Sequence, residues 1–134
     1  MKGNIQGFLD RITNWASNNE DIRTVILVGS FARGEAKDDS DVDFVIIAEN
    51  PDSFLKDDSF AYQFGNPSRI DCENWGKVQS LRAWYENGLE VEFSFTTENW
   101  LTFPLDIDSC QVLSDGYLVL VDKDMLAKKI HQSF

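Results

Sequence analysis

Ile5, Phe8, Leu9, Ile12, Trp15 and Ala16 recur at steps of three and four residues, the stripe of an amphipathic helix that lays one face on a core. The polar run Ser17-Asn18-Asn19 stops it. The pattern then changes. Thr24-Val25-Ile26-Leu27-Val28 is a continuous β-branched and apolar run, the mark of a buried strand, and it delivers the chain directly to Gly29-Ser30. A helical turn over residues 31–36, beginning at Ser30, and a loop over 37–40 follow. Asp41-Val42-Asp43-Phe44-Val45-Ile46-Ile47 reads as a second strand, acidic at its start and apolar where it enters the core.

Farther on, Phe54, Leu55, Phe60, Ala61 and Phe64 line a helix that ends at Gly65, with Asn66-Pro67 as the break. Asn87-Gly88 lies between two apolar-rich runs, 78–85 and 89–96, a strong hairpin signal. Leu81 and Trp84 also fit a helical spacing, which leaves the first arm open. The second arm alternates cleanly: Leu89, Val91, Phe93 and Phe95 face the core while Glu90 and Glu92 face the other way. Thr97 caps a short helix carrying Trp100 and Leu101 that stops at Pro104. Residues 116–121 form a last strand, and Asp124 caps a terminal helix bearing Leu126 and Ile130. With no repeat, low-complexity tract or linker, residues 1–134 read as one α+β or α/β domain.

Charge narrows the partners. Twelve basic residues against 23 acidic ones give a net charge of −11, which disfavours long nucleic acid, because phosphate backbones are gripped by clustered Lys and Arg. Acidity of this size serves solubility first, and after that a cationic small molecule or a basic protein partner. No apolar run approaches the roughly 20 residues of a membrane span, and the first residues lack the apolar stretch of a signal peptide, so no membrane association and a cytoplasmic location are expected. Cys72 and Cys110 match no zinc spacing and have a single histidine, His131, to help them; free thiols follow.

The candidate chemistry lies between Gly29 and Asp43. A Gly-Ser pair after a strand can offer backbone amides and a hydroxyl to phosphate, and the Asp41-x-Asp43 pair on an extended segment points both carboxylates to one face. Taken together, Gly29, Ser30, Gly34, Ser40, Asp41 and Asp43 at these spacings arise by chance with a probability on the order of 10⁻⁵, from average residue frequencies. The pattern Gly-Ser-x₃-Gly-x₅-Ser-Asp-x-Asp resembles the nucleotidyltransferase superfamily typified by DNA polymerase beta, and within it the small bacterial enzymes and antitoxins. The resemblance implies a mixed β-sheet flanked by helices, a nucleoside triphosphate substrate such as ATP, and two divalent metal ions held by three carboxylates.

Electrostatics points the same way. Two carboxylates about 4 Å apart repel by roughly 4 kcal/mol at an effective dielectric of 20, and Mg²⁺ between them would reverse the sign. The third carboxylate is expected from another strand. Glu92 is the candidate, since its Val91-Glu92-Phe93 context resembles the family's third-acid strand; Glu90 lies on the same face beside the turn and is the alternative. Asp41, Asp43 and Glu92 are thus the expected catalytic and metal-binding residues, Glu92 as ligand, general base or both. Gly29, Ser30, Arg33 and Ser40 are the expected nucleotide contacts, although Arg33 could instead pair with Glu35 or Asp38 and Ser40 could simply hold the loop. Trp75, Trp84, Tyr85 and Trp100 read as core before base-stacking platforms, and Asp71 and Glu73 as surface acids or amine contacts.

The resemblance implies transfer of a nucleoside monophosphate, AMP from ATP, to a hydroxyl of a small molecule or protein. Related antibiotic-modifying enzymes carry a helical acceptor-binding domain after the catalytic one, and the segment after Thr96 is short for one. The acceptor pocket is therefore expected from the middle segment, the carboxyl-terminal segment, or a second subunit, as in a homodimer, or a partner protein. Competing readings are a nucleotidyltransferase-like antitoxin that recognises a partner with little or no turnover, and a nucleotide-binding sensor.

Overall fold

The apolar stripe at the amino terminus becomes α1 (Ile5–Ser17), which buries Phe8, Ile12 and Ala16. In the computed structural model, which describes residues 5–37, 41–75 and 78–134 apart from the side chains of 74–78, α1 is followed by β1 (Ile22–Val28), α2 (Gly29–Arg33) and β2 (Val42–Ala48). The chain continues through α3 (Asp52–Lys56), a 3₁₀ segment (Asp58–Gln63) and β3 (Pro67–Trp75), β4 (Val78–Tyr85) and β5 (Glu90–Thr96). A 3₁₀ segment (Glu98–Leu101), α4 (Ile107–Ser114), β6 (Tyr117–Asp122) and a terminal 3₁₀ segment (Leu126–Ser133) complete it. The strands form one six-stranded sheet in the order β3-β4-β5-β2-β1-β6. β2 and β5 run parallel while the other neighbouring pairs are antiparallel. This is the expected mixed sheet with flanking helices in a single domain.

Strand alternation divides the hydrophobic residues between the two faces. Under α1, Phe44, Ile46, Val91, Phe93 and Phe95 pack with Phe8, Phe60 and Phe64, and Phe54 stacks on Phe95 with ring centroids 5.0 Å apart. On the opposite face Ile26, Val28, Val45 and Ile47 are covered by Trp100, Leu101, Leu113 and Ile130. Asp43, two residues before Val45, shares this second face. Sandwiching between two layers explains why β1 and β2 read as unbroken apolar runs. Among the described residues no helix is long and apolar enough to cross a membrane, and Cys72 and Cys110 are free.

Several elements differ from the sequence expectation. The single helix over Phe54 to Phe64 is broken at Asp57, whose backbone is extended and whose carboxylate accepts a hydrogen bond from the Ser59 amide, starting a second, 3₁₀ turn. β3 was not foreseen: it carries Arg69, Asp71 and Glu73, the charge load that suits an edge strand. The first hairpin arm, left open between strand and helix, is a strand, in agreement with the hairpin signal of Asn87-Gly88. α4 was also not foreseen, because only Ser109 and Leu113 are buried along it and its start is set by Asp106, which accepts from the Ser109 amide. Thr97 precedes the Glu98–Leu101 segment without a side-chain capping bond, and that segment ends before Pro104. The terminal segment is 3₁₀ and is capped by Asp122, which accepts from the amides of Leu126 and Ala127. Asp124 is instead drawn away by a two-pronged pairing with Arg23.

Candidate active site

Register brings the motif's two ends together. Val28 pairs with Asp43, Asp43 with Glu92, and Glu92 with Arg82, so one row across the sheet reads Arg82, Glu92, Asp43, Val28 and passes into Gly29. Neighbouring strands lie about 4.8 Å apart, which makes Asp43 and Glu92 side-by-side acids on one face. Glu90, the alternative, is opposite Trp84, one step nearer the turn.

Gly29 has a specific reason to be glycine. Its φ is +77°, and a Cβ there would lie 2.6 Å from Asp43 Oδ2. The carboxylate of Asp43 therefore leans over the bare backbone of the turn, and any side chain would displace it. Ser30 follows in the first turn of α2, which closes at Gly34 in the left-handed region. Arg33 ends α2; its chain lies against Gly116, where a Cβ would meet Arg33 Cγ at 2.6 Å. Its contact with Glu35 is loose, at 3.8 Å. Ser40 and Asp38 lie outside the described residues.

The acids are organised by a residue the sequence reading did not single out. Arg82 donates from Nε to Glu73 at 2.7 Å, from Nη1 to Asp41 at 2.7 Å and to Glu90 at 2.6 Å, and from Nη2 to Glu92 at 2.6 Å. Its side chain is 16% exposed. Burial works against its charge, but the hydrogen bonds it donates to Glu73, Asp41 and Glu90 outweigh it and hold the guanidinium more firmly protonated than usual. A sequence signal for it exists: Arg82 sits between buried Leu81 and Ala83, and the Asn87-Gly88 turn fixes it opposite Glu92. Asp43 is pushed up to about 6, first by burial and then by the negative charges of Glu92 and Asp41.

Three hard oxygen donors, one of them raised first by burial and then by the charge of the other two, match the chemistry of Mg²⁺. With Asp41 and Glu92 drawn to Arg82, no three acidic, histidine or cysteine side chains among the described residues converge on a single ion position. The residues fit the ion by donor type and by strand position, and Arg82 supplies the positive charge of the arrangement described.

Beside this row a cavity of about 450 Å³ opens on the second face of the sheet. Gly29, Asp43 and Glu92 lie along one side, and Trp100, Asp108 and Asp115 along the other; Arg33 is also on the wall. Ser109 lines it too, fully buried, and its hydroxyl has no hydrogen-bond partner among the described residues. A buried hydroxyl without a partner is costly unless a bound group satisfies it. Trp100 thus covers both core and cavity. Trp84 instead sits under the Arg69 guanidinium, 4.8 Å from its ring centre, and Tyr85 is buried with its hydroxyl donating to the Ala61 carbonyl. Asp71 pairs with Arg69, whereas Glu73 joins the acid cluster.

The fold has a counterpart among solved structures. The chain is similar over 73% of its length to an aminoglycoside 6-adenyltransferase from Bacillus subtilis, with a TM-score of 0.59, 19% identity and coverage of 36% of that chain. A CCA-adding enzyme in its apo form aligns with 98% of the chain and 33% of its own, at a TM-score of 0.46 and 14% identity. The chain thus spans about a third of the length of either solved protein. No curated protein sequence matches it. The family model of streptomycin adenylyltransferase matches residues 2–133, and the chain therefore belongs to that family, a nucleotidyltransferase domain.

Proposed function

We propose that this domain transfers AMP from ATP to a hydroxyl of a small molecule or protein and releases pyrophosphate. The observation that carries the reading is the pairing of Asp43 with Glu92 in register on parallel strands, with Asp43 leaning over Gly29 at the mouth of the cavity. Asp41, Asp43 and Glu92 would hold Mg²⁺, two ions in the full arrangement. When bound, Mg²⁺ would neutralise the triphosphate and lower the pKa of the attacking hydroxyl. The Gly29 amide and Ser30 would contact the phosphates, and Arg33 adds a cation on the cavity wall. In the transfer, the acceptor oxygen bonds to the α-phosphorus as the bond to pyrophosphate breaks. The hydroxyl proton passes to a carboxylate, for which Glu92 is the candidate.

The far wall of the cavity favours a cationic, hydroxylated acceptor: Asp108 and Asp115 supply negative charge and Ser109 an unsatisfied hydroxyl. A second subunit or a partner protein would add further acceptor contacts. With α-labelled ATP and cell extract, label should move to an acceptor with stoichiometric pyrophosphate release, and Asp41→Ala or Asp43→Ala should abolish both. Labelling that survives in both variants would rule the reading out. A second reading, a partner-binding protein with little turnover, draws on Arg82, whose ion pairs already hold Asp41 and Glu92.

A further inference from the structure

The four carboxylates on Arg82 are of two kinds. Asp41 and Glu92 are proposed metal ligands, whereas Glu73 and Glu90 come from the edge of β3 and the start of β5 and are not. A guanidinium has five N–H groups in a rigid plane, and here Nε is committed to Glu73 while Nη1 is shared between Asp41 and Glu90 and Nη2 serves Glu92.

We propose that Arg82 is a positioning residue that competes with the divalent cation: without the ion it holds Asp41 and Glu92, and it gives them up to the ion while staying anchored to Glu73 and Glu90. The proposal rests on the reading of Asp41, Asp43 and Glu92 as metal ligands. Its physical basis is that the arginine never has to be left without partners. Two of its four carboxylates remain after the exchange, so the buried cation keeps charge-assisted hydrogen bonds throughout. Asp43, which is not among Arg82's four partners, is the acid from which ion binding starts. The rigid fork matters more than the charge, because only a planar guanidinium can span all four acids at 2.6 to 2.7 Å. A lysine has the same charge but a single nitrogen on a flexible stem.

Mn²⁺ binding measured by electron paramagnetic resonance, on the whole chain with and without ATP, separates the possibilities. Arg82→Lys keeps the net charge, so a purely electrostatic role predicts unchanged affinity. Competition predicts binding tighter by about a hundredfold or more, the order expected when two hydrogen bonds to charged groups no longer have to be given up. Equal or weaker binding in Arg82→Lys, with wild type binding Mn²⁺, would overturn the proposal. Absence of Mn²⁺ binding in both proteins would instead remove the metal-site reading and the proposal with it. Should the variant not fold, ¹⁵N spectra of the wild-type guanidinium during Mg²⁺ titration decide: the Nη resonances should move while the Nε–H bonded to Glu73 stays, and resonances unmoved at saturation would contradict the exchange.

Discussion

Asp43 is where burial and charge conflict most directly. Its carboxyl is raised from 3.8 to about 6 by burial, with Glu92 and Asp41 adding to it, so the folded chain keeps a proton that the unfolded chain has released. Between about pH 4 and 6 the folded state binds more protons, and stability falls as pH rises through that window and is flat above it. Asp43→Asn should therefore stabilise the metal-free protein at pH 7 by about 1–2 kcal/mol, after allowance for partial solvent screening, and should flatten that stretch of the profile. Urea denaturation at a series of pH values checks both. At this scale the turn at Gly29 and the outward face of Glu92 were legible, because glycine turns and strand alternation are local signals. Arg82 was not, because a lone charged residue in a strand has meaning only once the hairpin sets what stands opposite it. Ser109 was hidden for the same reason: nothing in sequence marks a hydroxyl that a neighbouring layer will bury.

Among the elements, those with a strong period emerged where expected: α1, β1, β2, the β4–β5 hairpin and β6. Asn87-Gly88 fixes the hairpin register, with Gly88 at φ +94° and Asn87 Oδ1 accepting from the Leu89 amide. A slip of one residue would turn Glu92 to the α1 face. β3 and α4 escaped notice because they are held by neighbours more than by their own pattern, β3 by pairing along β4 and α4 by its Asp106 cap. The terminal segment illustrates how two acids compete for one cap. Asp122 binds two amides and also accepts from Thr24 Oγ1, while Asp124 forms an exposed pair with Arg23. Asp122→Ala should cost about 1 kcal/mol or more, as the loss of a helix cap does, and Asp124→Ala clearly less; chemical denaturation of the two variants gives the comparison.

For the molecule as a whole, mixed topology follows from two chain segments meeting at one edge of chemistry. β1 and β2 bring the Gly29 turn to Asp43, and the parallel pairing of β2 with β5 brings Glu92 from about fifty residues away to the same row. In the proposed transfer the donor side would therefore be carried by the sheet itself. The acceptor side would depend on the layer that lies over it, from Trp100 to Asp115, which the sequence pattern described least well. The central claim is that this row of acids binds nucleotide through a divalent ion, and calorimetric titration of ATP tests it most directly. ATP should bind wild type in the presence of Mg²⁺ and at least tenfold more weakly once the ion is chelated, the order expected when an ion bridging carboxylates and phosphates is lost, with binding abolished in Asp41→Ala and Asp43→Ala. Equal binding with and without Mg²⁺, or unchanged binding in the two variants, would contradict the account.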